Sequence, residues 1–172
     1  FEAEGCTDRH RIRKGTAAQA ARQFLSASAP IPDPLLMRDM DKAVARLNQA
    51  IANKEKILIY GDYDVDGTTA VALFYSFIKN FNTNSDYYIP DRYDEGYGIS
   101  YKGIDYAADN GFTLIVALDC GIKDIEKVSY AKQRGIDFII CDHHLPDENL
   151  PEAVAVLDPK RSDCEYPFDD LS

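Results

Sequence analysis

From Lys56 onward five short apolar runs recur, KILIY, DYYIP, FTLIVAL, IDFIIC and AVAVL, with helical patterns between them. This alternation constrains the fold more than any other feature. Strands separated by helix-length segments pair in parallel, because each return to the same edge needs a crossover. The expected class is α/β, a parallel β-sheet of βαβ units flanked by helices. Helices are expected near Thr68–Asn80, Ser100–Asn110 and Asp124–Arg134. The first is apolar nearly all round and is therefore expected to be buried. Upstream, Met40, Val44, Leu47 and Ile51 recur at helical spacing and predict a helix over Asp39–Asn53. A shorter helix near Thr16–Ser28 is broken by the three prolines of APIPDP. These two helices are expected to form a cap on the sheet domain. The division is a helical or irregular cap over 1–38 and a main domain over 39–172.

With 172 residues, 45% of them apolar, the chain can bury a real core. No apolar run reaches the roughly 18 residues of a membrane span, and FEAEGCTDRHRIRKG lacks the apolar centre of a signal peptide. A soluble cytoplasmic protein with no membrane partner is expected. Cys6, Cys120, Cys141 and Cys164 have no C-x-x-C spacing and read as structural thiols. The formal charge of −10 is unlike a phosphate-binding surface, and the one basic run is Arg9–Lys14. Should the partner be nucleic acid, bound cations or a further basic part must supply the positive field.

The residues just after the apolar runs carry the chemistry. KILIY leads into GDYDVDGTT, LIVAL into DCG and FIIC into DHH. D-x-D-x-D-G also opens a calcium-binding EF-hand loop, but the twelfth position counted from Asp62 is Leu73 instead of Glu. A strand also stands where the incoming helix should be, so that reading fails. In an open parallel sheet the carboxyl ends of the strands share one edge. Asp62, Asp64, Asp66, Asp119, Asp142, His143 and His144 can therefore converge. Such crowding raises carboxyl pKa values unless cations intervene. Mixed oxygen and imidazole donors without cysteine suit Mn²⁺, with Mg²⁺ the harder alternative. Two metals about 3.5–4 Å apart would activate water and clamp a phosphoryl group. Gly67 predicts that the first cluster turns into the next helix, with Thr68 available to cap it. The loop PDRYDEGYGIS lies at the same edge. There Arg92 offers a fork for phosphate, Gly96 and Gly98 permit close backbone approach, and Tyr93 and Tyr97 offer stacking surfaces.

At these residues the chain closely resembles the DHH phosphoesterase superfamily, named for the triplet that stands here as Asp142-His143-His144. Within it, YGDYDVDGTTA, IPDRYDEGYGIS, LDCGI and CDHH are similar to the motifs of single-strand-specific 5′ to 3′ exonucleases. The resemblance runs roughly from Asp33 to Asp169. It implies Asp64, Asp66, Asp119 and His143 as metal ligands, with Asp119 bridging two Mn²⁺ ions. His144 is then expected to orient or stabilise the phosphate, Asp142 to support the histidines, and Asp62 to act from nearby. The implied reaction is attack of metal-held water on the phosphodiester, releasing 5′-mononucleotides from single-stranded DNA in repair and recombination. A single-strand-binding protein and a helicase are the implied partners. A fourth metal-binding aspartate is expected beyond this chain. Asp158, Asp163, Asp169 and Asp170 are present, but LDPKRSDCEYPFDDLS resembles the segment before that motif. The expectation is an N-terminal piece of a longer exonuclease, with the basic surface in a second domain. The alternatives are a family member acting on small nucleotides or pyrophosphate, and a non-catalytic partner-binding module.

Overall fold

The computed structural model describes residues 32–168. The expected helix at Thr16–Ser28, the basic run Arg9–Lys14, Cys6, Asp169 and Asp170 lie outside them. In chain order the elements are α1 (Met40–Ala52), β1 (Ile57–Gly61), α2 (Val65–Ile78), β2 (Ser85–Tyr88), α3 (Tyr101–Asp109), β3 (Leu114–Leu118), α4 (Ile125–Gln133), β4 (Asp137–Cys141) and β5 (Ala155–Leu157). A 3₁₀ turn at Pro34–Leu36 precedes them, held by Asp33 Oδ1 accepting from the Leu35 N–H at 2.9 Å. No helix among the described residues is long and apolar enough to cross a membrane.

The five strands form one parallel sheet in the order β2-β1-β3-β4-β5. All five residues of β1 and all five of β3 are buried, as expected for central strands covered on both faces. Their side chains divide by period two. Leu58, Tyr60, Ile115, Ala117, Phe138 and Ile140 pack with Ile104 and Ala107 of α3 and with Val128 and Ala131 of α4. Ile57, Ile59, Leu114, Val116 and Ile139 pack on the opposite face with Ala43 and Ala50 of α1 and Val71 and Ile78 of α2. Helices of the β-α-β crossovers thus cover both faces, and every strand points its carboxyl end the same way. The order reverses between β1 and β3, so the switch point lies at the ends that carry Asp62–Asp66 and Asp119.

Three expectations need correction. α1 packs on β5 as part of the α/β layer and is no separate cap. Its Val44 is 44% exposed because the buried line runs through Ala43 and Ala50 instead. α2 is not buried all round: Val65, Leu73 and Phe77 are 77%, 74% and 55% exposed. One helix on a sheet buries only the side that meets it, here Gly67, Val71 and Ile78. Thr68 does not cap α2. Asp64 is its N-cap, with Oδ1 accepting from the Gly67 N–H at 2.9 Å, while Thr68 lies inside the helix and donates to the Asp64 carbonyl.

Candidate metal centre

Immediately after β1 the backbone turns into α2, and the three alternating aspartates part company. Asp62 is fully buried, with Oδ1 accepting from the Tyr63 N–H and Oδ2 from the Gly98 N–H, each at 2.7 Å. Burial pushes its pKa up, and these two N–H groups oppose the shift. Both its oxygens are thus engaged in fixing backbone. Asp64 caps α2 with Oδ1 and accepts from the Tyr97 hydroxyl at 3.2 Å with Oδ2. The Gly67 N–H holds its pKa below the ordinary value, assisted by the hydrogen bond from the Tyr97 hydroxyl. Asp66, exposed in the first turn of α2, lines a cleft of about 670 Å³ together with Asp119, Asp142 and His143.

Asp119 directly follows β3 in left-handed backbone, φ 61°, a conformation that aspartate tolerates better than most residues. Its N–H donates to the Cys141 carbonyl at 2.8 Å, which ties the β3 and β4 ends together. Its side chain is 8% exposed, and Oδ1 lies 3.0 Å from His143 Nε2. Burial and then the Asp64 carboxylate push the Asp119 pKa up, with the neighbouring histidines opposing. A carboxyl group that follows β3 thus meets an imidazole from the end of β4, within electrostatic reach of the carboxylate that caps α2. Ligand atoms of Asp119, His143 and His144 lie within 4.8 Å of one another. The donor set fits a hard divalent cation, whose charge would replace the proton that Asp119 otherwise favours.

Asp142 supports the pair from beneath. Oδ1 accepts from the backbone N–H of His143 and His144 at 2.7 and 3.1 Å, and Oδ2 accepts from the Ile122 N–H at 3.0 Å. Its pKa is lowered, because these donors and His144 outweigh burial, the largest single influence. An ionised carboxylate only accepts, so in the 2.7 Å contact with His144 Nδ1 that nitrogen is the donor. Cys120 and Cys141 have their thiol pKa values pushed up by burial, Cys141 to about 12, in keeping with structural thiols.

The loop after β2 reaches over this edge. Gly96 and Gly98 have φ of 80° and 83°, where glycine carries no steric penalty. Arg92 lies over the Tyr63 ring at 5.4 Å and has no carboxylate within ion-pair distance among the described residues. Tyr97 packs edge-on against Tyr63 and faces His144, with centroids 5.8 and 6.4 Å apart. Tyr93 is 94% exposed and makes none of these ring contacts among the described residues. Sequence reasoning missed Tyr63, the hydrogen-bonding role of Glu95 and the apolar wall of the cleft formed by Met37, Met40 and Leu73. Only the aromatic between two aspartates signalled the first of these.

A parallel α/β domain whose strand ends carry carboxylates and paired histidines is the class that fold and site define. Residues 56–168 match the family described as DHH family, N-terminal domain, and the chain belongs to that family. It is 41% identical over 163 residues to the single-stranded-DNA-specific exonuclease RecJ of Bacillus subtilis (strain 168), covering 94% of this chain and 21% of that protein. Against the RecJ of Escherichia coli (strain K12) it is 38% identical over 134 residues, 77% of this chain and 23% of that protein. The chain therefore spans between a fifth and a quarter of these relatives. A crystal structure of exonuclease RecJ bound to manganese superposes with a TM-score of 0.70 at 26% identity, covering 83% of this chain and 35% of that one.

Proposed function

We propose that the polypeptide carrying this chain hydrolyses phosphodiester bonds of single-stranded DNA from the 5′ end. Asp64, Asp66, Asp119 and His143 would hold divalent cations, Mn²⁺ ahead of Mg²⁺. One observation carries the reading: the acid after β3 meets the histidines after β4, with Asp119 Oδ1 3.0 Å from His143 Nε2 and ligand atoms of Asp119, His143 and His144 within 4.8 Å of one another, while the charge of Asp64 after β1 acts on the same Asp119 carboxyl. The names of the relatives and the manganese in the RecJ crystal support it. Bound cations supply Lewis acidity toward a phosphoryl oxygen and lower the pKa of water.

The chain's own residues do the rest. Asp119 offers its carboxylate to both halves of the cradle. Asp142 fixes the His144 ring through Nδ1, and His144 offers a ligand atom within 4.8 Å of those of Asp119 and His143, so that its ring stands where it can orient a phosphate oxygen. Arg92 presents guanidinium donors that have no carboxylate partner among the described residues, and Tyr97 presents a ring beside His144 on which a base can stack. Action in DNA repair and recombination, in the cytoplasm and alongside a single-strand-binding protein and a helicase belongs to the same proposal.

Calorimetric Mn²⁺ titration of the whole polypeptide beside its Asp119→Ala variant tests it. The variant is expected to lose measurable binding and all strand hydrolysis while keeping its fold by circular dichroism. Undiminished turnover in that variant would overturn the assignment. A preference for dinucleotides over long single strands would favour a small-nucleotide phosphodiesterase instead.

A further inference from the structure

Glu95 stands in the loop between β2 and α3, touches none of the proposed metal ligands, and collects more hydrogen bonds than any other side chain in that loop. The Tyr88 hydroxyl donates to it, lying 3.0 and 2.9 Å from its two carboxylate oxygens. The Asp91 N–H donates to Oε1 at 2.8 Å, and the Ser100 hydroxyl donates to Oε2. Asp91 and Ser100 flank the loop, and Tyr88 is the last residue of β2. One carboxylate therefore draws both ends of the loop together and fastens them to the edge strand.

The rest of the loop is held beside that closure by a second set of contacts, including the Ile99 N–H donating to Asp124 Oδ2 at 3.2 Å. The Ser100 N–H donates to the Tyr60 hydroxyl at 3.0 Å, and that hydroxyl donates to the Gly98 carbonyl at 3.1 Å. Gly98 in turn donates its N–H to buried Asp62. Within the closed loop Arg92 reaches Tyr63, and Tyr97 reaches Asp64 and His144. The Ser100 side chain also accepts from the Gly103 N–H at 2.8 Å, so the clamp is continuous with the N-cap of α3. A carboxylate is the side chain that accepts from three donors at once without offering a hydrogen of its own.

We propose that Glu95 is a positioning residue: it holds the loop 91–100 in the one shape that sets Arg92 and Tyr97 against the substrate strand, and so governs substrate affinity and not the metal centre. The substrate half of this proposal rests on the nuclease reading. The clamp itself does not.

Two variants of the whole polypeptide test it. Glu95→Gln keeps the shape but puts an NH₂ group where a donor needs an acceptor. Tyr88→Phe removes one donor, while the ring keeps its packing against Tyr60 and Tyr106. Hydrogen exchange of the 91–100 amides is expected to speed up about tenfold in both, the scale of one lost charge-assisted hydrogen bond. KM for an oligodeoxynucleotide is expected to rise by a similar factor, with kcat and Mn²⁺ affinity by calorimetry changed less than about twofold. Unchanged exchange in both variants sinks the clamp. Faster exchange with an unchanged KM, or a loss of Mn²⁺ binding that accounts for the KM, overturns the positioning role. A wild-type protein that cuts no single strand removes the nuclease reading and the substrate half with it, whereas exchange still decides the clamp.

Discussion

Two carboxylates separated by one strand spacing show how burial assigns different states to the same group. Asp142 collects three backbone N–H groups and an imidazole, and its pKa falls despite its burial. Asp158, which comes directly after β5, is fully buried, and among the described residues its Oδ2 has no partner and its Oδ1 accepts only from the Lys160 N–H at 2.7 Å. Burial pushes the Asp158 pKa up, and the charge of Asp142 adds to the shift. A carboxyl whose folded pKa is raised favours the folded state below its ordinary value of 3.8 and loses that contribution as pH rises through the folded value. At neutral pH the native state therefore carries either a strained charge or a proton taken up at a cost. Asp158→Asn is expected to raise stability by about 1 kcal/mol at pH 7, within the range for relieving a buried unpaired polar group. The gain should vanish once the pH falls below the ordinary carboxylate range. Urea unfolding of both proteins across that span checks it, and a variant less stable at pH 7 would show that the ionised Asp158 has a partner to lose.

The junction of β1 with α2 is the element on which the candidate site most depends, and glycine decides it. A Cβ on Gly67 would lie 2.6 Å from the Asp62 carbonyl oxygen and 2.7 Å from the Asp62 nitrogen, both backbone atoms that have nowhere to go. Gly67→Ala is therefore expected to cost about 2–4 kcal/mol, the range of severe overpacking. It should also displace Asp64 and Asp66 together. A lower urea midpoint at constant m-value, with weaker Mn²⁺ binding, is the expected result; a stable variant that binds normally would mean that the turn can shift. This junction also shows what was legible in the sequence. The apolar run, the aspartates and Gly67 announced strand, turn and helix, and β1, β3, β4 and their acids fell where alternation placed them. The outward side of α2 was not legible, because an apolar helix looks the same in sequence whether one side or all of it is covered. Nor was the cap: Asp64 and Thr68 are both good capping residues, and only the backbone path after Gly61 selects the aspartate. The Tyr63–Arg92 contact and the Glu95 clamp join residues through space, which period and spacing do not encode.

Across the whole molecule the charge is −10, and one sheet edge concentrates acids from three strands. Their mutual repulsion is a cost of folding that cations bound to the native state alone would remove. The unfolded chain scatters Asp64, Asp66, Asp119 and His143 and holds cations weakly, so cation binding couples directly to stability. At a free concentration 100 times the dissociation constant the stabilisation is about 2.7 kcal/mol. For a domain of this size that corresponds to a rise in Tm of roughly 5–10 °C. Simple screening predicts something different: any salt at equal ionic strength would act alike, since the Debye length depends only on ionic strength. Thermal unfolding with Mn²⁺, and with NaCl at matched ionic strength, separates the two. Mn²⁺ is expected to raise Tm well beyond NaCl in the wild type, with the excess abolished in Asp119→Ala. Equal shifts from the two salts would reduce the edge to a patch of diffuse negative charge, with no cradle for a cation to complete.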